Sequence, residues 1–280
     1  MGRVLNEDGT LAREGSLDRV PEVFVPVVDA ARERIAEVFG TGRTPEGGGA
    51  AGPSRLHSAY VYGSIPRGAA TAGVSDLDLL IVLREEPAEA DRAAAAALEA
   101  ELDARFPQID GVGALLAGAG TVLSELERYD LGFFVACLCT PLLGEDLAAR
   151  LPAYRPTSLL ARETNGDLEL FLARWRQRLA EAPAGRERAR LARAVGRHLV
   201  RTGFTLVLPL RGDWTSDLDE MAQAFAAHYP RWAAPMRTAV AVGRRPADAD
   251  AAVLDMLVHD LGPWLAAEYR AVHGVKAPRP

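Results

Sequence analysis

The chain has 280 residues, 49% of them hydrophobic and 25% charged, with a formal net charge of −6. That balance excludes disorder along the whole length, because enough apolar surface is available to offset the entropy of ordering. An acidic chain also lacks the basic excess with which general nucleic-acid binders neutralise phosphates, so no nucleic-acid partner is expected.

The first sixteen residues read as a polar, poorly ordered lead. They carry Glu7, Asp8 and Glu14 and have no apolar core, so no secretory signal is expected. Pro21 opens a predicted helix to Phe39, and the Gly-, Thr- and Pro-rich run from Gly40 to Pro53 reads as a loop. Ser58–Tyr62 and the almost continuously aliphatic Leu77–Leu83 are predicted strands, the second buried on both faces. The Ala- and Glu-rich stretch from Pro87 to Arg105 is predicted helical, and Val112–Ala117 is a further strand diluted by glycine.

From Leu131 onward helical patterns dominate, the run Leu131–Leu143 among them, punctuated by turn signals such as Pro152–Pro156 and Arg211–Trp214. The expected architecture is α+β: a small α/β domain over residues 1–156, with a mixed sheet and flanking helices, then an all-helical domain over residues 157–280. The uncharged stretches are too short and too interrupted by glycine to cross a bilayer, so a cytoplasmic location with no membrane partner is expected. Cys137 and Cys139, within the apolar run, read as a buried reduced pair.

Chemistry concentrates between Ala59 and Leu83. A strand ends in Gly63-Ser64, and after a helix-like spacer Ser75-Asp76-Leu77-Asp78 leads into the second strand. The period of two in a strand puts Asp76 and Asp78 on one face, where two like charges call for a cation. Mg²⁺ suits one or two carboxylates completed by phosphate oxygens. Gly63 permits close approach of the backbone to a ligand, and the N–H groups after Ser64 would meet an anion at a helix start. Together these features point to metal-assisted chemistry on a nucleoside triphosphate.

The residues Gly63-Ser64 with Gly68, followed by Ser75-Asp76-x-Asp78 and aliphatics, resemble the signature of polymerase β-like nucleotidyltransferases. The appended helical region and the run Leu142–Leu147 make the chain similar to those that modify aminoglycosides and other small molecules. The resemblance implies AMP transfer from ATP to a hydroxyl of a small-molecule acceptor with release of pyrophosphate. In that scheme Asp76 and Asp78 hold Mg²⁺, Gly63 and Ser64 bind the outer phosphates, and Arg67 adds a phosphate contact. It also implies a third carboxylate, for which Asp110 is the first choice, with Asp130, Glu163 and Asp167 as alternatives.

In the helical region, Arg186, Arg190, Arg193, Arg197 and Arg201 fall within an arc of roughly 80° on one helix face. Leu191, Val195, Leu199 and Thr202 lie beside them as the core side. Arg193 and Arg197 are expected to reach the triphosphate, a role for which Lys is unavailable because the chain has a single lysine, Lys276. Two other functions stay open. One is a protein-adenylylating, antitoxin-like enzyme; the other is a degenerate sensor that only binds ATP. Either a monomer or a homodimer is compatible with the sequence.

Overall fold

The computed structural model describes residues 5–40, 54–181, 184–246 and 250–279, so the predicted loop between Gly40 and Pro53 lies almost wholly outside the described residues. Two compact units emerge: residues 12–153, and residues 154–279 together with the described part of the first eleven.

The first unit is built on a four-stranded sheet of β1 (Leu56–Tyr62), β2 (Leu77–Leu83), β3 (Val112–Gly118) and β4 (Cys139–Gly144), in the order β3-β2-β1-β4. β1 runs antiparallel to both neighbours, whereas β2 and β3 are parallel, so the sheet is mixed. A parallel pair needs a crossover. It is supplied by α2 (Glu89–Arg105), which starts where the Asp91 carboxylate accepts the Ala88 N–H at 2.9 Å.

β2 explains the two-sided core. Leu77, Leu79 and Ile81 are buried with Phe24, Ile35, Leu98 and Leu102, under α1 (Val25–Phe39) and α2. Leu80 and Val82 face the other way, into a cluster with Tyr60, Val122, Val135 and Leu147. The helix predicted from Pro21 begins with a 3₁₀ turn at Glu22–Phe24 and becomes α-helical at Val25.

Two expectations are corrected. The described residues 5–16 are ordered. Leu5 bridges Leu11, the Asp8 carboxylate accepts from the Thr10 N–H and hydroxyl at 2.9 and 2.7 Å, and Leu11 N–H donates to Tyr154 O at 2.7 Å. Satisfied backbone groups and a buried Leu11 hold a segment whose composition is merely polar. The second correction falls on the run Leu131–Leu143, which is helical only at its start. α3 (Ala119–Val122) and the short α4 (Leu131–Phe133) precede a π-turn at Phe134–Leu138, and from Cys139 the chain is the edge strand β4. An edge position tolerates Pro141, which would break a central ladder.

The second unit is largely helical, with α5 (Ser158–Asn165), α6 (Leu168–Ala180), α7 (Gly185–Arg211), α8 (Leu218–His228), α9 (Ala233–Arg244), α10 (Ala251–Met256) and α11 (Gly262–His273). Thr157 caps α5, Asp217 caps α8, and Gly212 ends the 27-residue α7 with φ +78°. Leu191, Val195, Leu199 and Thr202 are fully buried, as the stripe on α7 implied. Gly196 lets α9 approach so closely that an added Cβ would lie 2.5 Å from Ala239 O. Among the described residues no helix is long and apolar enough to cross a membrane.

Candidate active site

The parity of β2 that buries Leu80 and Val82 carries Asp78, and Asp76 just before the strand, on the sheet face opposite α1 and α2. Both carboxylates are half-buried at the end of an otherwise buried strand. Asp78 pairs across the antiparallel ladder with Tyr62, the last residue of β1, and the following Gly63 turns back over it. The φ of Gly63 is +81°, and a Cβ placed there would stand well inside 3.0 Å of Asp78 Oδ2. The glycine is therefore required twice, by its conformation and by the carboxylate lying against it.

On the other side of β2, the parallel register sets Asp78 against Gly113 and Leu77 against Val112. The Leu77 N–H donates to Gly111 O at 2.8 Å, which extends the ladder by one residue. A Cβ at Gly111 would lie 3.7 Å from Asp76 Oδ1, and one at Gly113 would lie 3.9 Å from Asp78 Oδ1. At these three positions glycine sets no side chain of its own against the two carboxylates.

The Gly63–Gly68 segment forms consecutive turns rather than the expected helix start. Gly68 N–H donates to Ile65 O at 3.1 Å and Ala69 N–H to Ser64 O at 3.0 Å. Ser64 is half-exposed. Arg67 is used within the turn: its Nε donates to Gly63 O at 2.9 Å, and its Nη1 lies 3.8 Å from Glu14 Oε1. Ser16 N–H donates to Pro66 O at 2.9 Å and Glu14 N–H to Cys137 O at 2.8 Å, so the lead segment braces this turn. Ser75 Oγ accepts the Thr71 N–H at 2.9 Å and shapes the approach to Asp76.

The candidate third carboxylates are placed as follows. Asp110 is exposed in the turn before β3, where its N–H donates to Ser75 O at 3.1 Å. β3 itself, Val112–Gly118, carries no carboxylate, and Gly113 stands at the register partner of Asp78. Asp130 precedes α4 as its N-terminal flanking residue. Glu163 is buried in the helical unit, where it pairs with Arg162 at 2.8 Å and Arg279 at 3.4 Å, and Asp167 pairs with Lys276 at 3.1 Å. Among the described residues no group of three or more His, Cys, Asp or Glu side chains is placed to hold a metal ion.

Arg193 and Arg197 lie on α7 in the helical unit, and the Arg197 Nε donates to Gly243 O at 3.2 Å near the end of α9. Asp146, in the Leu142–Leu147 run, is structural. It pairs with Arg13 at 2.8 Å and caps the next turn through Ala148 N–H at 3.1 Å. Tyr60 OH lies 3.4 Å from the same carboxylate and accepts the Leu147 N–H at 2.8 Å. Burial pushes the Cys137 thiol up to about 12 and that of Cys139 well above its ordinary value, and both are buried and outside any disulfide.

Residues that the sequence reading did not single out are Gly111, Gly113, Tyr62 and Phe134. The Tyr62 and Phe134 rings meet edge to face at 4.8 Å beside the strand end that carries Asp78. The alternation Tyr60-Val61-Tyr62 was a signal for Tyr62, but the glycines of β3 acquire meaning only through the register.

A mixed sheet that presents two carboxylates beside a glycine turn at the strand ends has the form of a phosphate- and metal-binding group-transfer site. Residues 53–116 match the family model described as the nucleotidyltransferase domain, a polymerase β-like family. The matched stretch spans β1, β2, α2 and most of β3, and it contains Gly63, Ser64, Asp76, Asp78 and Asp110. No curated protein matches the chain.

Proposed function

We propose that the protein transfers AMP from ATP to a hydroxyl of a small molecule, aminoglycoside-like or a related polyol, with release of pyrophosphate. The nucleotidyltransferase domain supports nucleotidyl transfer in general. The observation that supports the finer reading is the placement of Asp76 and Asp78 on one face of the sheet, with the glycines Gly63, Gly111 and Gly113 next to their carboxylates.

The donor set fits Mg²⁺: it offers two hard carboxylates on one face, the number that Mg²⁺ takes when phosphate oxygens and water complete its coordination. When bound there, Mg²⁺ supplies charge neutralisation on the triphosphate and polarises the phosphorus under attack. Asp76 and Asp78 are the residues that would hold the ion. The Gly63-Ser64 turn offers backbone and hydroxyl donors to the outer phosphates. Arg67 keeps that turn in shape through Gly63 O, which makes it a positioning residue. The acceptor oxygen attacks the α-phosphorus in line; its bond to phosphorus forms as the bond to the bridging oxygen breaks, and pyrophosphate leaves with that electron pair. The acceptor proton goes to a carboxylate or to solvent, with Asp110 the group in this unit that we propose for it.

A second reading, an ATP-binding sensor, is favoured by one observation: glycine rather than a carboxylate faces Asp78 on β3. Pyrophosphate release from ATP and Mg²⁺, measured with a panel of aminoglycosides and polyols, separates the two. Acceptor-dependent release that disappears in Asp76→Asn/Asp78→Asn is the expected result. Mg²⁺-dependent ATP binding with no acceptor-stimulated release would replace transfer by sensing or by modification of a protein partner.

A further inference from the structure

The helical unit contains a cleft of about 500 Å³ that the transfer reaction described above does not use. That volume lies within the ordinary range of small-molecule sites. Its walls come from the start of α6, from α11, and from residues 274–279.

Asp167 stands immediately before α6, where an Asp ordinarily accepts a first-turn N–H. Here it makes no capping hydrogen bond, because its Oδ2 pairs with Lys276 Nζ at 3.1 Å. Lys276 is held in place by its own N–H, which donates to Gly166 O at 3.1 Å. The sole lysine of the chain therefore draws the capping carboxylate aside. The first turn of a 13-residue helix is left without a side-chain cap at the edge of the cleft. Such a helix end favours negative charge.

Asn165 gives an independent indication. It is 8% exposed and lines the same cleft, and its carboxamide has no hydrogen-bond partner among the described residues. With no protein partner, the amide of this largely buried side chain is left to whatever enters the cleft, water or a ligand oxygen.

The remaining lining is apolar and cationic. Phe171 and Leu168 form apolar wall, while Leu170 and Val275 sit at the rim, 63% and 59% exposed. Asp167 and Glu169 are neutralised by Lys276 and Arg270. Arg174 has no ion pair among the described residues, and its guanidinium lies 5.7 Å from the centroid of the Phe171 ring. The charge left over in the cleft is positive.

We propose that this cleft binds a small organic carboxylate with an apolar body. The start of α6 and the Asn165 carboxamide receive the carboxylate, Arg174 completes its charge, and Phe171, Leu168 and Val275 cover the apolar part. The proposal stands on the helical unit alone and is independent of the transfer reaction.

Isothermal titration of the full chain with sodium phenylacetate, sodium hexanoate, phenylacetamide and inorganic phosphate tests it. Saturable one-to-one binding of a carboxylate is expected, with phenylacetamide and phosphate at least about tenfold weaker. Asn165→Asp, nearly isosteric, sets a like charge against the ligand, and Arg174→Glu changes an exposed side chain that the fold does not need. Each is expected to weaken carboxylate binding by about tenfold or more. Asp76→Asn/Asp78→Asn is expected to bind it as the unaltered chain does. The proposal is overturned if neither carboxylate binds at millimolar concentration, or if phenylacetamide binds as tightly as phenylacetate. Unchanged binding in Arg174→Glu, whose fold is verified by circular dichroism, overturns it as well.

Discussion

At Gly63 two demands meet in one residue. The φ of +81° and the Asp78 carboxylate against its α-carbon both exclude a side chain. Gly63→Ala is therefore expected to abolish transfer and to cost about 1–3 kcal/mol of stability, read by denaturant titration of the variant. Gly113 is a different case: its Cβ position is 3.9 Å from Asp78 Oδ1, an ordinary contact distance. Gly113→Asp would thus add a third carboxylate without a clash, and Mg²⁺ or Mn²⁺ titration is expected to show tighter binding than in the parent chain. Unchanged affinity would mean that the β3 side of Asp78 is not where the ion sits.

At the scale of elements, the association of α7 with α9 depends on the absence of a side chain at Gly196, whose added Cβ would stand 2.5 Å from Ala239 O and 2.7 Å from Gly243 N. Gly196→Ala is expected to destabilise the helical unit by about 1–3 kcal/mol, although alanine is the better helix former, because backbone atoms cannot move aside as a flexible side chain can. Melting temperature is the readout, and a rise would show that the helices are farther apart than described. In the sheet unit, Tyr60 OH ties β1 to the turn at Leu147, so Tyr60→Phe leaves a buried N–H without its acceptor. A loss of about 1–3 kcal/mol follows.

For the whole molecule, each unit carries its own reporter. Cys137 and Cys139 are buried in the sheet unit with thiols pushed up by desolvation, so neither is expected to react with a thiol reagent at neutral pH until that unit opens. In the helical unit, His198 packs between Phe171 and Trp175 at 4.3 and 5.4 Å, and its Nε2 has no hydrogen-bond partner among the described residues. Desolvation lowers its pKa to about 4, with Arg201 and Lys276 acting in the same direction and Asp167 opposing them. The unfolded chain binds this proton near 6.5 and the folded chain only near 4. Stability from this group is thus complete above about pH 6.5 and is lost progressively as the pH falls toward 4, by up to about 3 kcal/mol. His198→Phe is expected to flatten that part of the stability profile, measured by denaturant titration between pH 4 and 7.

Much of this protein is determined locally. β2 was legible to the residue because a run of seven aliphatic and acidic residues admits one reading, a buried strand with Asp78 at its open end. α2 and the core stripe of α7 follow from composition and a period near 3.6, which depend only on neighbours in sequence. The closeness of Gly63 to Asp78 was legible for the same reason: both lie in one hairpin-like segment.

Other features needed partners far along the chain. Cys139–Gly144 reads as helix by its apolar content, and it becomes a strand because β1 offers a free edge to pair with. Residues 5–11 look merely polar until Tyr154 supplies a backbone acceptor. The glycines of β3 are unremarked in sequence, and only the parallel register sets them against Asp76 and Asp78. Asn165 and Lys276 are 111 positions apart in the chain, and only the folded helical unit places them around one cleft. Local pattern reflects propensity and periodicity, whereas strand pairing, close helix approach and cavities depend on contacts between distant segments, which tertiary structure alone decides.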